Sequence, residues 1–124
     1  MFLIDAERDA ASLNDAIRDD DDVAIAAITI AELRVGVELA TGRRRETRRS
    51  FVDHVITALP VADYDLAVTE AHASLLAHVR RQGTPRGAHD LIIAATAVAT
   101  GRAVVTADRS AFESLPGVEF RFHR

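Results

Sequence analysis

The sequence contains no cysteine, and all 15 of its basic residues are arginine, so it contains no lysine either. Without cysteine the protein has no disulfide bonds, no thiol catalysis and no cysteine-ligated zinc. Without lysine it has neither the lysine of a phosphate-binding P-loop nor Schiff-base chemistry. Acidic phosphotransfer sites that depend on a lysine are excluded for the same reason. A coding bias toward alanine and arginine is the simplest explanation of the missing lysine, so the bias by itself indicates no function.

The sequence also has few aromatic residues and no long apolar run. Aromatic residues make up 5% of the chain and hydrophobic residues 48%, which predicts a core of Ala, Val, Ile and Leu. No stretch approaches the roughly 20 apolar residues of a membrane-spanning helix. Phe2-Leu3-Ile4 is too short for the apolar part of a signal peptide. With 124 residues, the chain is expected to form a single domain over residues 1–124, located in the cytoplasm.

Charge is distributed unevenly along the chain, whose net charge is −4. Residues 1–42 contain ten acidic residues and three arginines, whereas residues 43–124 contain nine acidic residues and twelve arginines. Within a predicted helix, Arg44 shares a face with Arg48, and Arg45 shares a face with Arg49. Like charges four residues apart weaken a helix, so an outside group is expected to compensate them. RNA phosphate and an acidic partner protein are two candidates, and solvent is the simplest.

Short apolar runs alternate with segments of helical periodicity along the whole chain. Strands are predicted at residues 2–4, 23–28, 59–61, 103–105 and 118–122, and helices at residues 6–17, 29–40, 43–58, 66–82 and 91–100. Asp65 is predicted to cap the fourth of these helices, and Gly101 to end the fifth in a left-handed conformation. This alternation predicts a three-layer α/β fold around a central parallel sheet.

Four carboxylates fall at the predicted carboxyl edge of this sheet, namely Asp5, Glu32, Asp90 and Asp108. Each also has a local explanation. Glu32 completes a capping box that starts at Thr29, which spacing alone slightly favours; Asp90 is suited to cap a helix and Asp108 to form a turn. Together the four predict a site for Mg²⁺ or Mn²⁺, because hard divalent ions prefer oxygen ligands. Such ions activate water and stabilise charge on a phosphate, as in two-metal nucleases.

Two other acidic motifs are better explained without metal chemistry. The run Asp19–Asp22 has the character of a solvated loop, because adjacent carboxylates repel one another and favour water. The pair His89-Asp90 also occurs in metal phosphohydrolases, but those sites need further histidine ligands on a helical scaffold. The other histidines of this sequence are scattered and provide no such set.

Four motifs in this order resemble the PIN-domain family, and more narrowly the VapC toxins of bacterial toxin–antitoxin pairs. The motifs are Ile4-Asp5, TIAELRVG at residues 29–36, HDLIIAATA at residues 89–97 and VVTADRSAF at residues 104–112. The resemblance extends over nearly the whole chain, and the last two motifs with their spacing are the most specific. It implies a Mg²⁺- or Mn²⁺-dependent endoribonuclease toxin, usually dimeric, that is inhibited by a cognate antitoxin.

The resemblance also implies roles for particular residues. The family's acidic quartet, which is catalytic and binds the metal, falls on Asp5, Glu32, Asp90 and Asp108. Thr106 matches a hydroxyl residue that lies near the metal. The resemblance therefore assigns Glu32 to the site rather than to a capping box. RNA is the implied substrate, with the arginine cluster Arg44, Arg45, Arg48 and Arg49 as a candidate for contacting its phosphates.

One segment departs from the family pattern. In the family the first Asp is followed by Thr or Ser and an apolar helical turn, whereas Asp5 runs directly into Ala6-Glu7-Arg8-Asp9. This departure favours a competing hypothesis, in which the chain is a catalytically degenerate PIN-like module that only binds a partner protein. The two hypotheses differ in whether the four carboxylates hold a metal ion.

Overall fold

A computed structural model describes residues 2–4, 23–106 and 108–122 of the chain. Numbered within these residues, the strands are β1 (Phe2–Ile4), β2 (Val23–Ala26), β3 (Val61–Ala62), β4 (Ala103–Thr106) and β5 (Phe120–Phe122). The helices are α1 (Ala27–Leu39), α2 (Gly42–Ala58), α3 (Leu66–Gln82) and α4 (Ala88–Ala99), with a short 3-10 helix at Arg109–Ala111. The predicted helix at residues 6–17 and the run Asp19–Asp22 lie outside the described residues.

The described strands form one parallel sheet in the order β3-β2-β1-β4-β5. The strand β1 is at its centre, where Leu3 pairs with Ala24 of β2 on one side and with Val104 of β4 on the other. Pro60, which has no amide hydrogen, comes just before the edge strand β3, and its carbonyl accepts a hydrogen bond from the Ile25 amide at 3.0 Å. The predicted parallel sheet is thus confirmed, with the edge strand at Val61–Ala62 instead of residues 59–61.

Both faces of the sheet are covered by helices, because the side chains of β2 alternate between two cores. Ala24 and Ala26 pack in a core that includes buried residues of α3 and α4, while Val23 and Ile25 pack in a core with α1 and α2. The larger core also contains Leu3, Val104 and Phe112. The three-layer arrangement predicted from the sequence is therefore present.

Two helix ends have the chemistry that the sequence predicts. Asp65 Oδ1 accepts a hydrogen bond from the Val68 amide at 3.1 Å, and α3 spans the predicted residues, Leu66–Gln82. Gly101 follows α4 with a φ of 65°, a left-handed conformation that side chains with a Cβ disfavour. Gly83 ends α3 in the same way, with a φ of 67°.

The start of α1 differs from the prediction. The helix begins at Ala27, directly after the extended residue Ala26. Ala27 and Ile28, the last two residues of the strand predicted at residues 23–28, are therefore helical. Thr29 lies inside the first turn and is fully buried, and its Oγ1 has no hydrogen-bond partner within the described part of the chain. The capping-box interpretation of Thr29 and Glu32 is wrong, since Thr29 is not the N-cap. A short apolar run does not by itself distinguish a buried strand from a buried helix start.

The carboxyl-terminal part of the chain follows the prediction with one shorter element. Phe112 and Leu115 are buried and fix the turn after the 3-10 helix, as expected. The last strand is Phe120–Phe122 rather than residues 118–122. None of the helices in the described ranges is long and apolar enough to cross a membrane.

Replacing Asp65 by alanine tests the cap of α3. We expect Asp65→Ala to lower the free energy of unfolding by about 1 kcal/mol, because the Val68 amide loses its acceptor. The control is Asp63→Ala, a nearby exposed carboxylate just before the helix. Chemical denaturation of both variants measures the difference. Equal stabilities for the two variants would show that the Asp65 contact contributes nothing.

Candidate active site

The parallel sheet collects strand ends and helix starts at a single edge. Helix α1 follows β2 directly and α4 leads directly into β4, so both helices begin near the carboxyl ends of the strands and run back across the sheet. Glu32 lies in the second turn of α1, which follows β2 directly, and Asp90 lies in the first turn of α4. Asp108 comes just after β4. Three of the four predicted site residues therefore lie on elements that begin or end at this edge.

Contact between Glu32 and His89 joins two of these elements. His89 Nδ1 lies 2.9 Å from Glu32 Oε1, within ion-pairing distance, and α1 packs against α4. The Glu32 side chain is only 13% exposed, whereas that of His89 is 53% exposed. The contact lacks hydrogen-bond alignment, since the same oxygen is buried without a hydrogen-bond partner among the described residues. The His89 side chain thus covers a carboxylate oxygen whose hydrogen-bonding capacity is unused.

Asp90, the residue after His89, lies in the same first turn of α4. Sequence reasoning considered His89 only as part of a phosphohydrolase-like pair and did not foresee its contact with Glu32. No periodicity or spacing rule links residues 32 and 89, because the contact depends on how α1 and α4 pack. The only indication in the sequence was that His89 is adjacent to Asp90, a predicted metal ligand.

Asp108 is held by two hydroxyl groups, one at the end of β4 and one in the 3-10 helix. Its amide donates a hydrogen bond to Thr106 Oγ1 at 2.9 Å, and the Ser110 hydroxyl donates to Asp108 Oδ1 at 2.7 Å. Thr106 is buried, whereas Ser110 is exposed. The Thr106 hydroxyl therefore fixes the backbone that carries Asp108. The contact of Ser110 with the Asp108 carboxylate was not predicted from the sequence.

The predicted quartet is only partly described. Asp5, its first member, lies outside the described residues. In the sequence it comes directly after β1, the strand that lies between β2 and β4 in the sheet. Within residues 2–4, 23–106 and 108–122, no group of three or more His, Asp or Glu side chains is arranged to hold a metal ion. The metal site at Asp5, Glu32, Asp90 and Asp108 therefore stays a prediction.

The arginine cluster divides into two pairs. Arg45 Nη2 lies 3.5 Å from Glu38 Oε1, and Arg48 Nη1 donates a hydrogen bond to the Gly36 carbonyl at 2.9 Å. Both contacts connect α2 with the last turns of α1, where α1 has no basic residue of its own. Cations at that end of a helix are favourable because its last carbonyls lack amide partners. Arg44 and Arg49 are exposed and have no such contacts in the described part of the chain.

Comparison with known proteins agrees with the fold described above. A family model described as PIN domain matches residues 1–118. The chain belongs to the PIN-domain family.

Its relatives include VapC proteins. The tRNA(fMet)-specific endonuclease VapC of Salmonella typhimurium is 35% identical over 94 residues, which cover 76% of the chain and 70% of that protein. VapC ribonuclease Y4jK of Sinorhizobium fredii is 39% identical over 94 residues, covering 73% of the chain and 67% of that protein. A chain in the crystal structure of DNA-bound VapBC from Salmonella typhimurium matches with a TM-score of 0.85 and 27% identity, over 98% of this chain and 96% of that one.

Proposed function

We propose that this chain is a toxin-type endoribonuclease that cleaves RNA phosphodiester bonds with a divalent metal ion, Mg²⁺ or Mn²⁺. The single observation that carries the proposal is the Glu32–His89 contact, since it draws the helix starts that bear Glu32 and Asp90 together beside β4 and Asp108. The names of the relatives support the chemistry, since several are ribonucleases or RNA-specific endonucleases.

The chemistry of the edge fits a hard divalent cation. Glu32 Oε1 is buried and unused by hydrogen bonds within the described ranges, which is costly for a carboxylate unless a cation or donor compensates it. Neighbouring carboxylates also repel one another in the absence of a cation. Magnesium retains several waters and needs only one or two carboxylates, so a compact cluster of three acids is not required.

The residues proposed to hold the ion are Asp5, Glu32, Asp90 and Asp108. When bound, the ion supplies an activated water and stabilises the negative charge that develops on the phosphate. The protein's own groups supply the placement: Thr106 and Ser110 hold the Asp108 loop, and His89 shields Glu32 from solvent. All four acids are present in this sequence, so no loss of a ligand favours the degenerate binding module over the enzyme.

We propose RNA contact for Arg44 and Arg49 rather than for the whole cluster, because Arg45 and Arg48 already contact α1. Replacing both Arg44 and Arg49 by glutamine is expected to weaken binding to all RNA sequences alike. The slope of log affinity against log salt should flatten by roughly 0.7 per lost contact on single-stranded RNA. Fluorescence anisotropy at several salt concentrations measures the slope.

Arg48→Met provides the contrast within the same helix. It should leave the slope unchanged and instead lower the free energy of unfolding by about 1 kcal/mol, since the Gly36 carbonyl loses a cationic donor. An unchanged slope in the Arg44 and Arg49 variant would return these two residues to a role as solvent-exposed charges.

We also propose two protein partners, a second copy of the chain and a small antitoxin. The matched Salmonella structure is DNA-bound VapBC, and a structure from Mycobacterium tuberculosis that matches with a TM-score of 0.81 is VapBC-5, a member of the VapBC family of toxin–antitoxin systems. Val61, Tyr64 and Leu66 form an exposed apolar patch beside the edge strand β3, with Leu66 85% exposed. On α1, next to α2, Val35 and Leu39 are exposed as well. We assign the Val61–Leu66 patch to self-association and the α1–α2 face to the antitoxin.

Sedimentation velocity at micromolar concentration tests both partners with two matched variants. The parent is expected to be a dimer that also binds the small protein encoded beside it. Leu66→Ser should shift the chain toward monomer, and Leu39→Ser should reduce antitoxin binding while the dimer persists, because each removes apolar area from one surface only. A monomeric parent would rule out the dimer, and a parent that binds no neighbouring gene product would rule out the antitoxin.

The enzyme itself is tested by Asp90→Asn. The predicted role of Asp90 as the helix cap is wrong, because α4 begins at Ala88 with Gly87 as its N-cap and Asp90 lies inside the first turn. A purely structural Asp90 would only interact through its charge with the helix dipole, so Asp90→Asn would then cost about 0.3–1 kcal/mol and leave RNA cleavage unchanged. In a metal site the variant is at least as stable as the parent without metal, because one like charge is gone, and gains less stability from added Mn²⁺. RNA cleavage should fall by about a hundredfold or more, since even residues outside the ligand shell cost roughly 10- to 100-fold.

Paired thermal melts, with and without Mn²⁺, and a gel assay of RNA cleavage give the two readouts. Asp63→Asn is the control, because it removes the same charge from an exposed loop just before α3. If Asp90→Asn cleaves RNA at the parental rate and shows the parental Mn²⁺ shift, the carboxylate quartet is not a metal site. The interaction module would then be the better description.

A further inference from the structure

Gly87 stands immediately before α4, and its backbone does not explain why it is glycine. Its φ of −58° and ψ of 138° are open to any L-residue. The constraint is spatial. A Cβ added at Gly87 would lie 2.9 Å from Asp90 Oδ2 and 3.5 Å from Asp90 Cγ. The first distance is shorter than real Cβ contacts, so a side chain at residue 87 and the present position of the Asp90 carboxylate exclude each other.

The surrounding turn holds its backbone in place. The Leu91 amide donates a hydrogen bond to the Gly87 carbonyl at 3.1 Å, and Leu91 is buried in the core. The group that yields to a new Cβ is therefore the carboxyl end of the Asp90 side chain, because it is the far end of a rotatable side chain, whereas the Gly87 backbone is hydrogen-bonded to the turn.

We propose that Gly87 is a positioning residue for Asp90: the missing Cβ leaves the space in which the Asp90 carboxylate lies at the carboxyl edge of the sheet. The inference rests on the proposed function, in which Asp90 binds a divalent ion. Alanine at residue 87 preserves the backbone and the charge of every acid, yet turns the Asp90 carboxylate away from its position. The expected defect is therefore in metal binding rather than in folding.

The experiment uses Gly87→Ala, Asp90→Ala and the double variant, with Gly36→Ala as the control. Gly36 is inside α1, and a Cβ there would come no closer than 3.5 Å to Arg48 Nη1, an ordinary contact. Electron paramagnetic resonance of free Mn²⁺ gives the dissociation constant for each variant. Gly87→Ala should raise it by about tenfold, the size of effect seen when an outer residue stops orienting a ligand. The control should bind Mn²⁺ like the parent.

The double variant shows whether Gly87 acts through Asp90. With the carboxylate removed, the nearest atom left of residue 90 is its Cβ at 4.0 Å, an ordinary van der Waals contact, so the double variant should bind Mn²⁺ no more weakly than Asp90→Ala alone. Metal-free thermal melts give the same comparison independently: any destabilisation by Gly87→Ala should disappear in the Asp90→Ala background. If Gly87→Ala fails to fold, the double variant should recover the fold, and failure to recover it would overturn the inference.

The outcomes separate the inference from the proposed function. If the parent binds Mn²⁺ and Asp90→Asn binds it more weakly while Gly87→Ala binds it normally, only the inference is overturned. If the parent binds no Mn²⁺, the proposed function fails and the inference fails with it. In RNA cleavage, Gly87→Ala should lower kcat and leave the KM for RNA unchanged, because the arginines proposed to bind RNA are untouched.

Discussion

Parallel pairing of β1 with both β2 and β4 places the carboxyl ends of three neighbouring strands side by side. A helix that returns across such a sheet must start at the same edge. The first turns of α1 and α4 therefore lie there because of the strand directions alone. Glu32 and Asp90 reach the edge in this way, and Asp108 reaches it by following β4. The position of the candidate site thus follows from the direction of the strands, and side-chain contacts determine only its local geometry.

In the proposed metal site the acids repel one another in the absence of a cation, and the residues around them bear on how each carboxylate is placed. His89 lies against Glu32, Ser110 donates to Asp108, and Gly87 leaves space for Asp90. Ser110 supplies a hydrogen-bond donor, Gly87 leaves space, and His89 covers a carboxylate oxygen without donating a hydrogen bond to it. Such an arrangement places negative charges accurately at the cost of some stability of the metal-free protein. This is expected at a site where binding of a cation stabilises the folded state.

The arginines of α2 illustrate how one sequence feature separates into two physical roles. All four look alike in the sequence, where i,i+4 spacing predicts repulsion. In the fold, Arg45 and Arg48 face the last turns of α1, whose carbonyls and Glu38 attract them. Arg44 and Arg49 remain on the exposed side, where positive charge is available to a polyanion. Two of these four arginines therefore contact α1, and the other two leave positive charge on the surface of the protein.

The sequence by itself determined the alternation of strands and helices, the Asp65 cap, the left-handed Gly101 and the four acids, because each depends on residues close together in the chain. It misplaced the start of α1, since a short apolar run at residues 23–28 is compatible with a strand or a buried helix start. Only the tertiary structure decided that His89 meets Glu32, that Arg48 rather than Arg49 contacts Gly36, and that Gly87 leaves space for the carboxylate of Asp90. The first two contacts join residues on different helices, and the third depends on a side-chain rotamer, so packing settles what periodicity and spacing leave open.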